Sequence, residues 1–201
     1  MQTEHISLPA RAQTGFSLVE VAIVTAIVLT IAMLGVPAIG TYLIENKVPK
    51  VGESLQRMMM RLQVSAQGGG LTPYAGIDNV AVAHAFRDST VLEVAPGGAI
   101  VHGLSRQRRP GFGALTVAPA SLEGAGAGSA FSLTLRNVNH AACPALASVL
   151  QGVSSVIQIE GGKGRVTVKD LTANPARGYS AIRAASACGD GDVNHFTFIA
   201  R

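Results

Sequence analysis

One long apolar run near the N-terminus constrains this chain more than any other feature. From Phe16 to Ile44 the residues are apolar or weakly polar throughout, except for a single carboxylate at Glu20. About 20 apolar residues cross a hydrocarbon layer about 30 Å thick, so the part beyond Glu20 is long enough to span a membrane. A carboxylate within such a span costs at least about 2.5 kcal/mol. The run therefore predicts a membrane helix in which Glu20 needs a partner.

The composition suits one modest globular domain beyond this run. Of the 201 residues, 48% are hydrophobic but only 4% are aromatic, and 23 are glycine. A head rich in small apolar residues and glycines favours short strands and many turns. The net charge of +4 comes from 16 lysines and arginines against 12 acids. This excess is typical of an ordinary protein surface rather than of a nucleic-acid-binding protein.

The junction before the apolar run carries a specific motif. Residues 1–15 are polar, and GFSLVE follows from Gly15 to Glu20. A secretory signal peptide has the reverse order, with its apolar region before the cleavage site. The glycine, the carboxylate at a fixed offset and the long apolar helix resemble the type IV pilin superfamily. That resemblance implies that prepilin peptidase cleaves between Gly15 and Phe16, that the new amine of Phe16 is methylated, and that Pro37 loosens the helix.

The resemblance also implies a domain layout and a location. Residues 1–15 would be a cleaved leader, 16–44 the transmembrane and assembly helix, and 45–201 the globular head with the amphipathic second half of the helix. The precursor would lie in the inner membrane with its head in the periplasm, and the mature subunit in a cell-surface pilus. Its partners would be other copies of itself in a helical homopolymer, the peptidase, the inner-membrane assembly machinery and, before assembly, the membrane.

The physical chemistry of the junction gives Glu20 a partner. Cleavage after Gly15 would create a free amine at Phe16, close to the apolar span. In a helical bundle the amine of one subunit can meet the Glu20 carboxylate of another, so that two charges that are each costly become tolerable as a pair. We therefore expect Glu20 to set the register of assembly.

A second helical pattern follows the apolar run and reaches about residue 66. Apolar residues recur at three- and four-residue steps, at Val48, Val51, Leu55, Met58, Leu62 and Ala66. Pro37 and Pro49 predict bends, and the glycines at 68–70 end the helix. By the resemblance, helix 45–66 packs on an antiparallel sheet, which gives an α+β fold of the α/β roll kind.

Runs of β-prone residues between turns predict the sheet. Two to four strands are expected between residues 71 and 125, in runs that begin at Asn79, Thr90, Ala99 and Ala114. A half-buried strand is predicted over 129–138, because apolar and polar residues alternate there. A short helix that Asn139 can cap comes next. VIQIE, GRVTVKD and HFTFIA predict three further strands, the first two joined as a hairpin through residues 161–164.

The two cysteines are Cys143 and Cys188. Their spacing fits no zinc pattern, and in an oxidising compartment a single pair is most simply a disulfide. Closing this loop would stabilise the head by roughly 3 to 4 kcal/mol. The stretches GFGALTV, AFSLTLRNVNHAACPALASVL and ACGDGDVNHFTFIAR resemble type IVb pilins of the toxin-coregulated and bundle-forming kind, and most of all major pilins of conjugative thin pili.

The densest cationic cluster is RQRRPGFG, which contains Arg106, Arg108 and Arg109 beside Phe112. It suits a solvated loop better than a contact with an acidic polymer or membrane, because it has one aromatic residue and no repeat.

A second polar segment, DGDVN, contains Asp190, Asp192 and Asn194 and begins like a calcium loop. It lacks the glycine and the bidentate glutamate that an EF-hand requires later in the loop. Calcium is therefore a weak candidate, no other metal is expected, and a turn is the preferred interpretation.

No enzyme is predicted. The five histidines are scattered without the spacing of a metal or catalytic motif, so no catalytic residue and no cofactor is expected. The preferred function is a structural subunit of a type IVb pilus that supports adhesion, aggregation or conjugative mating. One alternative is a minor pilin or a type II secretion pseudopilin. Another is a pilus-borne adhesin or DNA-binding subunit that acts through the arginine cluster.

Overall fold

The computed structural model describes residues 17–87, 89–122 and 124–201. Its longest element is helix α1, Leu18–Ser65. The chain divides into two compact units, and the division falls between Ile39 and Gly40. The first unit contains the apolar start of α1, which is long and apolar enough to cross a membrane. There, the hydroxyls of Thr25 and Thr30 donate to carbonyls one turn earlier at 2.7 and 2.8 Å, so these polar groups are satisfied within the helix.

The second unit, from Gly40 onwards, is an α+β head. Its sheet has seven strands in the order β1-β2-β3-β4-β7-β5-β6, and every neighbouring pair is antiparallel. The strands are β1 Glu93–Val94, β2 Ile100–Val101, β3 Ala114–Ala120, β4 Ala130–Val138, β5 Val156–Gly161, β6 Gly164–Asp170 and β7 Asn194–Ala200. Three short helices complete it: α2 Asn79–Ala83, α3 Cys143–Leu150 and α4 Ala181–Ala187. Short 3₁₀ turns, His84–Phe86 and Gln151–Val153, follow α2 and α3.

The head has one hydrophobic core, which the second half of α1 shares with the inner face of the sheet. The predicted face of α1 is confirmed: Val48, Val51, Leu55 and Met58 are buried, and Leu62 and Ala66 pack against the core. Buried positions alternate over the whole of β7 and over the middle of β4. The fold is therefore the predicted one, a long helix packed on an antiparallel sheet.

One local prediction about secondary structure was wrong, and one helix was not predicted. The run from Asn79 to Phe86 was predicted as a strand, but it forms α2 and a 3₁₀ turn. Its buried residues, Val82, Ala83 and Phe86, have helical spacing, and the Asp78 side chain caps the helix by accepting the Ala81 N–H at 2.8 Å. Helix α4 was not predicted at all, although Ser180 caps it through the Arg183 N–H.

Candidate functional site

The residues predicted for processing and assembly lie at the start of the chain. Gly15 and Phe16 are outside the described residues. Glu20 is exposed in the first turn of α1, where the helix dipole favours a negative charge. The helical backbone of α1 continues through residue 37. The roles of Glu20 and Pro37 stay predictions.

The two cysteines form a disulfide in the head. Cys143 begins α3 and is fully buried, and Cys188 directly follows α4. Their Cα atoms are 6.0 Å apart. The bond therefore joins α3, which precedes β5 in the sequence, to the end of α4, which follows β6.

The structure brings together two segments that the sequence presents 85 residues apart, the arginine-rich loop and the DGDVN turn. Asp192 is nearly buried. One of its oxygens, Oδ2, accepts the backbone N–H groups of Arg106 and Gln107, both at 3.0 Å, and the hydroxyl of Ser105 at 3.1 Å. The other, Oδ1, accepts from Asn139 Nδ2 at 2.6 Å. Asp192 thus fixes the backbone of the loop that carries the arginines.

The pKa of Asp192 reflects this environment. Burial alone would raise it, but the hydrogen bonds from Asn139, Arg106, Gln107 and Ser105 outweigh burial and hold the pKa below its ordinary value. Asp192 is therefore a charged anchor at neutral pH.

Asn139 and Asn194 bind neighbouring turns. Asn139 was expected to cap α3, but the helix starts later, at Cys143, and has no side-chain cap. Instead, Asn139 Oδ1 accepts the Ala141 N–H in the turn before α3, and Asn139 Nδ2 donates to Asp192. The buried Asn194 donates to the carbonyls of Val138 and Gly189 and accepts the Gly189 N–H at 2.7 Å.

These hydrogen bonds argue against a calcium site at Asp190, Asp192 and Asn194. The side-chain oxygens of Asp192 and Asn194 already accept hydrogen bonds from protein donors, so a cation would have to displace them. Within residues 17–87, 89–122 and 124–201 no group of three or more His, Cys, Asp or Glu side chains is placed to hold a metal ion.

A buried histidine lies beside the same loop. His102 follows β2 and is fully buried. Its Nδ1 accepts the Leu104 N–H at 3.0 Å, so Nε2 carries the hydrogen and donates to the Arg136 carbonyl at 2.8 Å. Burial lowers the pKa of His102 from 6.5 to about 4, although the Arg136 carbonyl and the Asp192 charge act in the opposite direction. His102 is therefore neutral at physiological pH.

The predicted arginine cluster divides into two parts. Arg108 and Arg109 line an open cleft of about 720 Å³, which we call the cationic cleft; Lys47 lies on its wall. Arg106 is not among the residues that line it, and its guanidinium lies against Gly40 of α1. Residues 89–93 and Phe112 also line the cleft. Sequence reasoning found the arginines but not this cleft.

The C-terminal part of the head is similar to a known protein family. Residues 112–201 match the family model described as PilS N terminal. A search of curated protein sequences gave no significant match.

Two solved structures are similar to the chain. The type IV pilin TcpA from Vibrio cholerae El Tor biotype matches with a TM-score of 0.50 and 12% identity, over 78% of this chain and 99% of that one. The type IVb pilin from Salmonella typhi matches with a TM-score of 0.48 and 18% identity, over 76% of this chain and 96% of that one. The chain therefore shares its fold with the type IV pilin TcpA, and its residues 112–201 are similar to the PilS family model.

Proposed function

We propose that the chain is a subunit of a type IVb pilus, cleaved between Gly15 and Phe16 by prepilin peptidase and polymerised through its N-terminal helix. The observation that carries the proposal is an exposed apolar helix with a single carboxylate in its first turn, on a chain with the pilin fold.

The exposed surface of this helix is large and uniform. The described large apolar side chains from Leu18 to Ile39 are exposed by between 51% and 87%. A folded chain rarely leaves so much contiguous apolar surface in water, and such a surface marks contact with a membrane or with other proteins. Because a bilayer and a helical filament core are both apolar, the same surface serves first as an anchor and then as the contact between subunits.

Glu20 supplies the specificity that an apolar surface lacks. Apolar packing between helices is tolerant of sliding, whereas a charge pair is favourable only when the two groups meet. An α-amine at Phe16 of a neighbouring subunit is the cation that cleavage would provide near Glu20. Leaving either charge unpaired in the filament core costs several kcal/mol, so this pairing would fix the axial register.

The test uses Glu20→Ala with Glu45→Ala as its control. Glu45 is an exposed acid on the same helix. We expect Glu20→Ala precursor to be cleaved normally but to be missing from sheared filaments, and Glu45→Ala to assemble like the wild type. Immunoblots of sheared filaments and of the cell-bound fraction measure both steps. Normal filaments from Glu20→Ala would refute the assembly role of Glu20.

A further inference from the structure

The cationic cleft has the properties of a ligand site. Three cationic residues line it, Lys47, Arg108 and Arg109, and the one carboxylate on its walls among the described residues is Glu93. Within residues 17–87, 89–122 and 124–201, the ion pairs that the structure contains involve other arginines. The cleft volume of about 720 Å³ lies within the range of about 300–1,000 Å³ typical of small-molecule sites.

The backbone of the cleft is held in place without a ligand. Asp192 fixes the start of the loop through the N–H groups of Arg106 and Gln107, and the Phe112 N–H donates to the Arg109 carbonyl at 3.0 Å to close the turn. Gly111 and Gly113 adopt positive φ angles of 85° and 71° there. A ligand therefore meets a preformed loop, which reduces the entropy lost on binding.

The uncharged polar side chains that line the cleft can form hydrogen bonds with the hydroxyl groups of a ligand. Ser89 Oγ accepts the N–H groups of Val91 and Leu92, which leaves its hydrogen to donate to a ligand. Thr90 and Gln107 offer donors and acceptors, and Glu93 can accept from a hydroxyl. Phe112 adds an apolar surface in the same cleft.

These lining residues favour one class of anionic ligand over another. A nucleic acid needs a charged track along its backbone and several stacking aromatics. Arg106 is not among the described residues that line the cleft, and Phe112 is the one aromatic residue among them. A sugar chain with one carboxylate per unit and many hydroxyls matches both the cations and Glu93.

We propose that the cationic cleft binds a short carboxylated oligosaccharide, with Arg108 and Arg109 on its carboxylates and Ser89, Thr90 and Glu93 on its hydroxyls. Arginine suits this role because its planar fork matches a carboxylate in two parallel hydrogen bonds. The site goes beyond the filament role, and it does not depend on polymerisation.

The test is calorimetric titration of the full chain in detergent micelles with trigalacturonate. We expect binding that weakens between about 50 mM and 0.5 M NaCl and that falls at least about tenfold in the double variant Arg108→Ala/Arg109→Ala. Arg106→Ala is the matched control from the same loop and should bind like the wild type. The variant Arg108→Lys/Arg109→Lys keeps the charge and should bind with intermediate affinity, which separates loss of binding from loss of folding.

Comparison ligands complete the test. Maltotriose has the hydroxyls without the carboxylates, and hexaglutamate and hexathymidylate have the charges without the sugar hydroxyls. No binding of trigalacturonate, or equal affinity for maltotriose, would overturn the proposal. Tighter binding of hexaglutamate or of hexathymidylate would assign the cleft to an acidic peptide or to a nucleic acid instead. The titration measures ligand binding by the head and the Glu20 test measures filament assembly, so either proposal can fail without the other.

Discussion

Mild acid should destabilise the head mainly through His102. It is fully buried, and both ring nitrogens are already bonded to backbone groups, one as acceptor from the Leu104 N–H and one as donor to the Arg136 carbonyl. Protonation would add the second hydrogen of the ring, at Nδ1, which faces the Leu104 N–H donor, so that contact would become repulsive. The folded head therefore resists protonation, whereas the unfolded chain does not.

The size of the effect follows from the pKa of His102. It falls from 6.5 to about 4 in the folded head, and each tenfold change in proton affinity is worth about 1.4 kcal/mol. Well above pH 6.5 the imidazole is neutral in both states and no stability is lost. As the pH falls the unfolded state takes up the proton first, so between about pH 7.5 and about pH 4.5 the head should lose about 2.5 kcal/mol.

The assay is urea unfolding of the full chain in detergent micelles at both pH values, with NMR of the imidazole as a direct readout. His102→Gln cannot titrate, so its loss of stability over this range should be smaller than that of the wild type by about 2.5 kcal/mol. Ordinary carboxylates titrate mainly below this range. Two results would contradict the predicted role of His102: an imidazole that titrates near pH 6.5 in the folded protein, or a stability that depends on pH equally in the wild type and in His102→Gln.

Three further predictions concern the stability of the head, each measured by the same unfolding assay. Asp192→Ala should cost about 3 kcal/mol, because it leaves the donors at Asn139 and the arginine loop without their acceptor; a loss below about 1 kcal/mol would contradict its anchoring role. Leu55→Ala should cost about 2–5 kcal/mol because Leu55 is fully buried, whereas Leu71→Ala, at an exposed residue, should change stability by less than about 0.5 kcal/mol. Reduction of the disulfide should cost roughly 3 to 4 kcal/mol, and an unchanged urea midpoint would show that the bond does not constrain the unfolded chain.

The fold was largely predictable because its main signals are local and periodic. The alternation over β4 and the three- and four-residue steps from Val48 to Leu62 both survive in the structure. The hairpin through residues 161–164 also follows its sequence, with Gly161 paired to Gly164. The errors came from short segments of small residues. In α2 the alternating valines favoured a strand, and the capping residues Asp78 and Ser180 were the signals that identified α2 and α4 as helices.

The sites were less predictable because they depend on contacts between distant residues. The sequence shows three arginines in one loop, but only the fold shows that Asp192 fixes this loop and that Arg106 points to Gly40 instead of the cleft. No local pattern links Asp192 to residues 105–107. The burial of His102 did have a signal in the sequence. His102 lies two residues after Ile100 and two before Leu104, and both of these are buried.

Mass spectrometry of sheared surface filaments tests most directly whether the chain is a processed pilus subunit. We expect an abundant mature chain that begins at Phe16 with a methylated amine. That result would establish both the cleavage between Gly15 and Phe16 and the role of the chain as a filament subunit. Filaments whose subunit begins at Met1, or filaments that lack this chain, would contradict it.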